Sequence, residues 1–399
     1  MNNSRLESAL DHIAVVIKDS LPYIGLNGGA LLNTSGISIF LYHYGQIRKD
    51  AHAIRLSSDI LNQVFSSDLP YSKHKSSTTS FCSGLAGTGW LAMYMKDKGV
   101  WESSLEMREM DELVFEFYKE SIEKGFHDFL HGASGALLYM LKRKSKSSQI
   151  KAKSMIISLL DIAYDEGDLF FWNDYDLEKN LVKKNFLNYG LSHGTPAILS
   201  ILSKAKTVNY EKVDHLKDLV QRGVNTLLKY KNDEGLMSRY PYNVNIDEPS
   251  NQFTRLGWCY GDLGVAQALW NTASFLKDHK IISTAYDIVI ASTNRTFKDS
   301  IVQDGGICHG ASGISHIYHR FYKLTRNMKL LKASDYWMDI ALEMVEPREN
   351  LITGYTKYTH TEGYVNSFGL LDGISGVGLT ILNRLSDKKL NWDECLLIS

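Results

Sequence analysis

The sequence of 399 residues lacks the features that mark several classes of protein. Its net charge is close to zero, because 44 lysines and arginines oppose 45 aspartates and glutamates. Such a chain creates no long-range attraction for nucleic acid or for an anionic membrane. No apolar run reaches the roughly 18 to 20 residues that a membrane span needs. Four cysteines and no uninterrupted apolar segment near the N-terminus argue against a secreted disulfide scaffold, so we expect a cytoplasmic protein with reduced thiols.

Proline and strand patterns are scarce as well. The chain has 6 prolines and no sustained alternation of apolar and polar residues, which favours helices. Glycine, in contrast, occurs 30 times and follows a repeating pattern. Small-residue turns, each followed by an apolar stretch, recur seven times at intervals of about 50 to 65 residues, room for two helices each. The second small residues of these turns are Gly36, Gly87, Gly135, Ala197, Gly264, Gly313 and Gly376.

The repeat predicts an all-α fold. The stretch after each turn is apolar nearly all round, as in a buried helix, whereas intervening segments such as 103–125 and 210–235 are amphipathic. Two glycines on one helix face let neighbouring backbones approach closely. We therefore expect a single domain, residues 1–399, with seven inner and seven outer helices closed into an α/α toroid. An open solenoid is the alternative, but its ends need polar capping repeats, and the last repeat is as apolar as the others. The aromatic stretch "DLFFWNDYD", residues 168–176, is interpreted as a packed loop.

Closure of the repeat brings the residues just before the turns to one mouth of the toroid. Cys259 in "CYG" and Cys308 in "CHG" occupy the same position of consecutive turns, and His309 follows. Two thiolates and one imidazole suit zinc, and three protein ligands leave a fourth position open, as in catalytic sites. The two cysteines are equally explained as small buried fillers beside an ordinary histidine. The same sector of the toroid gathers further polar residues, namely Asp128, His131, His193, Arg255 and Tyr260.

The turns also carry a family resemblance. "WCYG" followed by "CHG", with "LSHG" upstream and "LLDGISGVGL" near the C-terminus, resembles the lanthionine synthetase C-like family, the LanC-type cyclases, over essentially the whole chain. The family has an α/α toroid with one catalytic zinc ion. The resemblance implies zinc ligands at Cys259, Cys308 and His309, and catalytic residues at His193, Asp128, Arg255 and Tyr260. Ala197 departs from the family's usual glycine, which concerns helix packing rather than chemistry.

The resemblance implies a stand-alone lanthipeptide cyclase. Such an enzyme adds peptide cysteine thiols to dehydroalanine or dehydrobutyrine and so forms lanthionine or methyllanthionine rings. His193 would act as base or acid, Asp128 would orient its ring, and Arg255 would stabilise the developing oxyanion. The expected partners are a dehydrated precursor peptide with its leader and a dehydratase, with peripheral attachment to the membrane through an export complex as an alternative location. No nucleic acid is expected.

Three other functions remain open from the sequence. A relative on the same toroid would add glutathione to dehydrated proteins. A prenyltransferase β-type toroid also uses zinc with a thiol substrate, but it lacks the paired "CYG" and "CHG" turns. A peptide-binding scaffold would contain a structural zinc with a fourth protein ligand.

Overall fold

The computed structural model describes residues 3–25, 32, 34–66, 79–102 and 107–399, and these residues are mostly helical. Fourteen α-helices lie in the described part of the chain. They are α1 (Asn3–Ser20), α2 (Thr34–Arg48), α3 (Ala51–Ser66), α4 (Leu85–Asp97), α5 (Arg108–Glu123), α6 (Ala133–Lys142), α7 (Lys146–Asp161), α8 (Thr195–Leu202), α9 (Val213–Lys229), α10 (Asp262–Leu276), α11 (His279–Ser292), α12 (Ala311–Thr325), α13 (Met328–Met344) and α14 (Ile374–Leu385). Within the described residues, no helix is long and apolar enough to cross a membrane.

Seven of these helices follow the small-residue turns: α2, α4, α6, α8, α10, α12 and α14. Most of their side chains are buried, and α8 is buried along its whole length. The other seven helices are amphipathic, with one buried face and one face exposed to water. In α9, for example, Leu216, Val220 and Leu227 are fully buried, whereas charged residues such as Asp214 face water. The predicted alternation of buried and amphipathic helices is therefore present, although the first turn lies partly outside the described residues.

One compact unit contains α1 to α4 and α12 to α14, together with the hairpin of β6 (Tyr358–Thr359) and β7 (Gly363–Tyr364). Within it, α2 packs on α3, α12 packs on α13, and α14 packs on α1, α2 and α12. The other compact unit contains α5 to α11. There α6 packs between α5 and α7, and α8 packs on α9 and α10. The prediction of one domain over the whole chain stays a prediction.

Two helix pairs of the first unit are joined by the same serine contact. Ser38 of α2 and Ser57 of α3 each donate a hydroxyl hydrogen bond of 2.8 Å to the other's backbone carbonyl. Ser315 of α12 and Ser334 of α13 do the same, at 2.8 and 2.9 Å. All four side chains are fully buried, so each hydroxyl finds its partner within the protein. This contact recurs at matching positions of two repeats and supports the repeat derived from the turns.

The glycines of the turns are required mainly by contacts with their own turn. Gly310 is the last residue before α12, and a Cβ there would lie 2.4 Å from a carboxylate oxygen of Asp304. At Gly313, in the first turn of the helix, a Cβ would lie 2.0 Å from the carbonyl oxygen of Ile307. No side chain fits at either distance. The sequence predicted close approach between helices, whereas here the closest atoms belong to the chain segment that enters the same helix.

The interpretation of residues 168–176 as a loop is wrong. This stretch forms strands β2 (Leu169–Phe171) and β3 (Asn173–Asp176). β2 pairs with β1 (Tyr164–Glu166), and β3 pairs with β4 (Leu181–Asn188), which pairs in turn with β5 (Asn243–Asn245), all antiparallel. The strands are three to eight residues long, too short for a pattern of alternation to stand out. The expected packing does occur, because Phe170, Phe171 and Trp172 are buried.

Candidate active site

A buried histidine–aspartate pair lies in the second unit. Nδ1 of His193, in the turn before α8, lies 2.6 Å from Oδ2 of Asp128, in the turn before α6. The other oxygen of Asp128 accepts the backbone N–H of His131 at 2.7 Å. Both carboxylate oxygens are thus engaged, and the imidazole is held by its Nδ1. An arrangement of this kind fixes the tautomer of a histidine and leaves Nε2 for proton transfer.

The two groups shift each other's pKa toward the charged forms. Burial alone lowers the pKa of His193, but the negative charge of Asp128 and the hydrogen bond to it outweigh burial, so that pKa is raised. Burial alone raises the pKa of Asp128, but the positive charge of His193 and its hydrogen bond outweigh it, so that pKa is lowered. The pair therefore favours an imidazolium beside a carboxylate. A histidine with a raised pKa can carry a proton at neutral pH.

Tyr260 lies beside this pair. Its ring centroid is 6.0 Å from that of His193, and the ring of Tyr242 meets it edge-on at 5.3 Å. The hydroxyl of Tyr242 in turn accepts the backbone N–H of Arg255 at 3.1 Å. This bond holds the segment just before the "WCYG" turn close to the two tyrosine rings. Burial raises the pKa of Tyr260, so its hydroxyl stays protonated and can donate a hydrogen bond. Tyr260 and Arg255 are half-buried, as expected of residues at the edge of a site.

The hydroxyl of Tyr260 is held by a buried asparagine. Nδ2 of Asn188, the last residue of β4, lies 3.2 Å from the hydroxyl of Tyr260 and 2.7 Å from a carboxylate oxygen of Asp174. Oδ1 of Asn188 accepts the N–H of Gly190 at 2.8 Å. Both Asn188 and Asp174 are buried. The three-stranded sheet thus delivers a fixed amide to the edge of the site.

A second carboxylate supports His309 in the first unit. Nε2 of His309 lies 3.1 Å from Oδ2 of Asp304, whose side chain is 3% exposed. Asp304 is itself fixed, since it accepts the backbone N–H of Gly306 and that of Tyr358, each at 3.2 Å. The neighbouring Cys308 donates its backbone N–H to the carbonyl of Leu371 at 3.0 Å. Both residues are therefore held in the irregular turn, before the backbone becomes helical.

Cys259, Cys308 and His309 form the group that could hold a metal ion. Each offers one ligand atom, and these atoms all lie within 4.8 Å of one another. Cys259 is buried, whereas Cys308 and His309 are half-buried. Among the residues that the structure describes, this is the one group of three histidine, cysteine or acidic side chains with ligand atoms this close together. Two sulfurs and one nitrogen are ligands that zinc prefers.

Residues 31–397 match the family described as lanthionine synthetase C-like protein. The chain belongs to this family. Among solved structures, the chain is similar to nisin cyclase, with a TM-score of 0.75 and 18% identity over 97% of this chain and 96% of that one. The match confirms the predicted α/α toroid fold.

Two carbohydrate enzymes are more distant. An unsaturated glucuronyl hydrolase from Streptococcus agalactiae matches with a TM-score of 0.50 and 10% identity, over 98% of this chain and 94% of that one. A cellobiose 2-epimerase from Bacillus thermoamylovorans reaches 0.45 at 10% identity, over 90% and 89%. At these levels neither similarity bears on function.

The structure brings most of the predicted site residues together. His193 contacts Asp128, Tyr260 lies beside His193, and Cys259, Cys308 and His309 form the group that could hold a metal ion. Arg255 lies in the turn that leads to Cys259. Two further cysteines, Cys82 and Cys395, are buried and do not join that group.

The sequence did not reveal three residues that support the site: Asn188, Asp174 and Asp304. Asn188 and Asp174 lie in short strands that the sequence does not predict. Asp304 precedes "CHG" by four residues, within reach of the same turn. That position relative to Cys308 is a signal that could have drawn attention to Asp304.

Proposed function

We propose that this protein is a zinc-dependent lanthipeptide cyclase. It would add cysteine thiols of a dehydrated peptide to dehydroalanine or dehydrobutyrine residues of the same peptide, giving thioether rings. The observation that carries the proposal is the group of Cys259, Cys308 and His309 in a chain of the lanthionine synthetase C-like family. A dehydrated precursor peptide with its leader would be the substrate, and a dehydratase would supply it.

The donor set fits zinc. Cys259, Cys308 and His309 would hold the ion with two sulfurs and one nitrogen, since their ligand atoms lie within 4.8 Å of one another, and a peptide thiol would be the further ligand. The imidazole of a zinc ligand usually hydrogen-bonds through its other nitrogen to a carboxylate, and Asp304 supplies such a partner at Nε2 of His309, which would leave Nδ1 for the metal. When bound, zinc would lower the pKa of a peptide thiol that occupies the fourth position, so that it reacts as thiolate.

The protein's own side chains would then manage the charge that the addition creates. Attack of the thiolate sulfur on Cβ of the dehydro residue forms the carbon–sulfur bond and moves the π electrons toward the carbonyl oxygen. Arg255 and the protonated hydroxyl of Tyr260 are the groups assigned to stabilise this enolate. The stabilisation would be strong because both groups are half-buried and partly shielded from water.

His193 would manage the proton. The raised pKa of His193 favours an imidazolium beside Asp128, and its Nε2 would deliver a proton to Cα of the enolate. The thiol loses one proton and Cα gains one, so the product has the mass of the substrate. Asp128 would hold the ring with Nε2 directed to the substrate and offset its positive charge.

The test uses a synthetic dehydrated peptide that contains cysteine. We expect the wild-type protein to remove one alkylatable thiol per ring at constant peptide mass, without added glutathione. Zinc content of the purified protein, measured by metal analysis, should be about one per chain. A glutathione-dependent mass gain without loss of peptide thiols would instead assign the protein to the glutathione-adding relatives. An unchanged thiol count with zinc bound would indicate a structural zinc protein.

A further inference from the structure

Asn188 occupies a position that controls the hydroxyl of Tyr260, and the chemistry of its neighbours fixes the orientation of its amide. The carboxylate of Asp174 only accepts hydrogen bonds, so the atom 2.7 Å from it must be the amide nitrogen. The backbone N–H of Gly190 only donates, so the atom 2.8 Å from it must be the amide oxygen. Both ends of the amide are thus determined independently.

This orientation determines the role of the Tyr260 oxygen. The amide nitrogen has two hydrogens; one points to Asp174, and the other reaches the hydroxyl of Tyr260 at 3.2 Å. The phenol oxygen therefore accepts, and its own hydrogen must point elsewhere. Without the hydrogen bond from Asn188, the hydroxyl of Tyr260 could rotate and point its hydrogen toward Asp174 or another nearby acceptor.

The surroundings hold the asparagine firmly. Asn188 is 4% exposed, and a Cβ at Gly194 would lie 2.2 Å from its carbonyl oxygen, so the turn closes tightly over it. A Cβ at Gly190 would lie 2.9 Å from the ring of Tyr260, which shows that backbone and ring are already in contact. The amide, the turn and the ring form one packed unit, and a packed unit can orient a hydroxyl without reorganisation.

We propose that Asn188 is a positioning residue, which makes the hydroxyl of Tyr260 a hydrogen-bond acceptor on one side and thereby directs its hydrogen to the substrate. This inference rests on the proposed cyclisation. Asn188 itself does not touch the reacting atoms. In this proposal its effect on the reaction passes through Tyr260, which a double-mutant cycle separates from its structural contacts with Asp174 and Gly190.

The test is a double-mutant cycle of Asn188→Ser with Tyr260→Phe. Serine keeps an oxygen that can accept the Gly190 N–H in the turn but cannot reach the phenol. We expect Asn188→Ser to lower kcat about three- to tenfold, the effect of one neutral hydrogen bond, with unchanged zinc content. In the Tyr260→Phe background the same substitution should change kcat less than about twofold. Equal losses in both backgrounds, or no loss in the first, would overturn the proposal.

A spectroscopic measurement separates this proposal from the proposed function. Protein labelled with ¹³Cζ-tyrosine gives a resonance for Tyr260, identified by its disappearance in Tyr260→Phe. Asn188→Ser should shift that resonance, because the hydrogen bond to the phenol oxygen is lost. If the wild type forms no rings and the resonance shifts, the cyclase assignment fails and the contact stands; an unmoved resonance overturns the positioning role. Asn188→Thr, which keeps the same acceptor, provides a second variant if the serine variant does not fold.

Discussion

Replacement of Asp128 by asparagine removes the charged hydrogen-bond acceptor of His193, which the site cannot replace. The carboxylate accepts two hydrogen bonds, from the backbone N–H of His131 at 2.7 Å and from Nδ1 of His193 at 2.6 Å. An amide of the same size has a single oxygen. The backbone N–H cannot change its role, so the oxygen stays there and the NH₂ group faces His193. His193 must then accept at Nδ1 and carry its proton on Nε2, the opposite tautomer when neutral.

The size of the effect follows from the loss of the charge-assisted hydrogen bond between Asp128 and His193. A hydrogen bond to a charged group contributes about 1.5–3 kcal/mol, which corresponds to a fall in the cyclisation rate of about 10- to 150-fold. Loss of the negative charge also lowers the pKa of His193, so the limb of the kcat/KM profile set by His193 should move to lower pH. The assay counts alkylatable thiols in a dehydrated peptide over time. Asp214→Asn, at a side chain 90% exposed, serves as the matched control and should leave rate and profile unchanged.

The same variant makes a prediction about stability. The lowered pKa of Asp128 stabilises the fold above its unfolded value of about 3.9, and the raised pKa of His193 stabilises it below its unfolded value of about 6.5. Both contributions are therefore complete between about pH 4 and 6.5. They fade as Asp128 is protonated at lower pH and as His193 loses its proton at higher pH. The difference in unfolding free energy between the wild type and Asp128→Asn should therefore be largest in this pH range. If that difference is constant from pH 3 to 9 and Asp128→Asn forms rings at the wild-type rate, the charged pair is refuted.

Further predictions concern the metal ligands and the contact between Gly190 and the ring of Tyr260. Cys308→Ala should lose zinc in metal analysis while Cys82→Ala retains it, and retention by both would exclude Cys308 as a ligand. Asp304→Asn should weaken zinc binding about 10- to 100-fold in a chelator competition, because it removes the charge beside His309, and unchanged affinity would count against that support. Gly190→Ala places a Cβ 2.9 Å from the Tyr260 ring, which must move by roughly half an ångström, and should slow cyclisation about tenfold with zinc retained. Gly235→Ala, with open space around its Cβ, is the control, and equal rates in both variants would contradict the argument.

The fold could be predicted to a large extent because its signal is repeated. Each small-residue turn gives weak evidence by itself, but seven turns in one register fix where the buried helices begin. The first small residue of the described turns at Gly84, Gly132, Gly194, Gly261, Gly310 and Gly373 is indeed the last residue before a helix. The strands escaped prediction because their pairing joins segments far apart in the chain, such as β4 and β5.

The site was predictable where its residues belong to the turns. Cys259, Cys308 and His309 follow from the register and the family resemblance, and the structure brings their ligand atoms together. Asn188 was not predictable, because its function depends on the contacts of a buried amide, and the sequence around it resembles an ordinary strand end. Sequence patterns report which residues are repeated, whereas supporting residues occur once and are defined by geometry.

The serine contacts between α2 and α3 and between α12 and α13 mark a position that can be compared with a third helix pair. The two serines of each pair are 19 residues apart, and the first lies two residues after the second glycine of its turn. In the pair α10 and α11 the same two positions are Ala266 and Ala285, both fully buried. The three helix pairs thus have either two serines or two alanines at these positions. All of these side chains are small. At this place the packing of the three helix pairs depends on the size of the side chains, and the hydrogen bonds are an addition that the alanine pair does without.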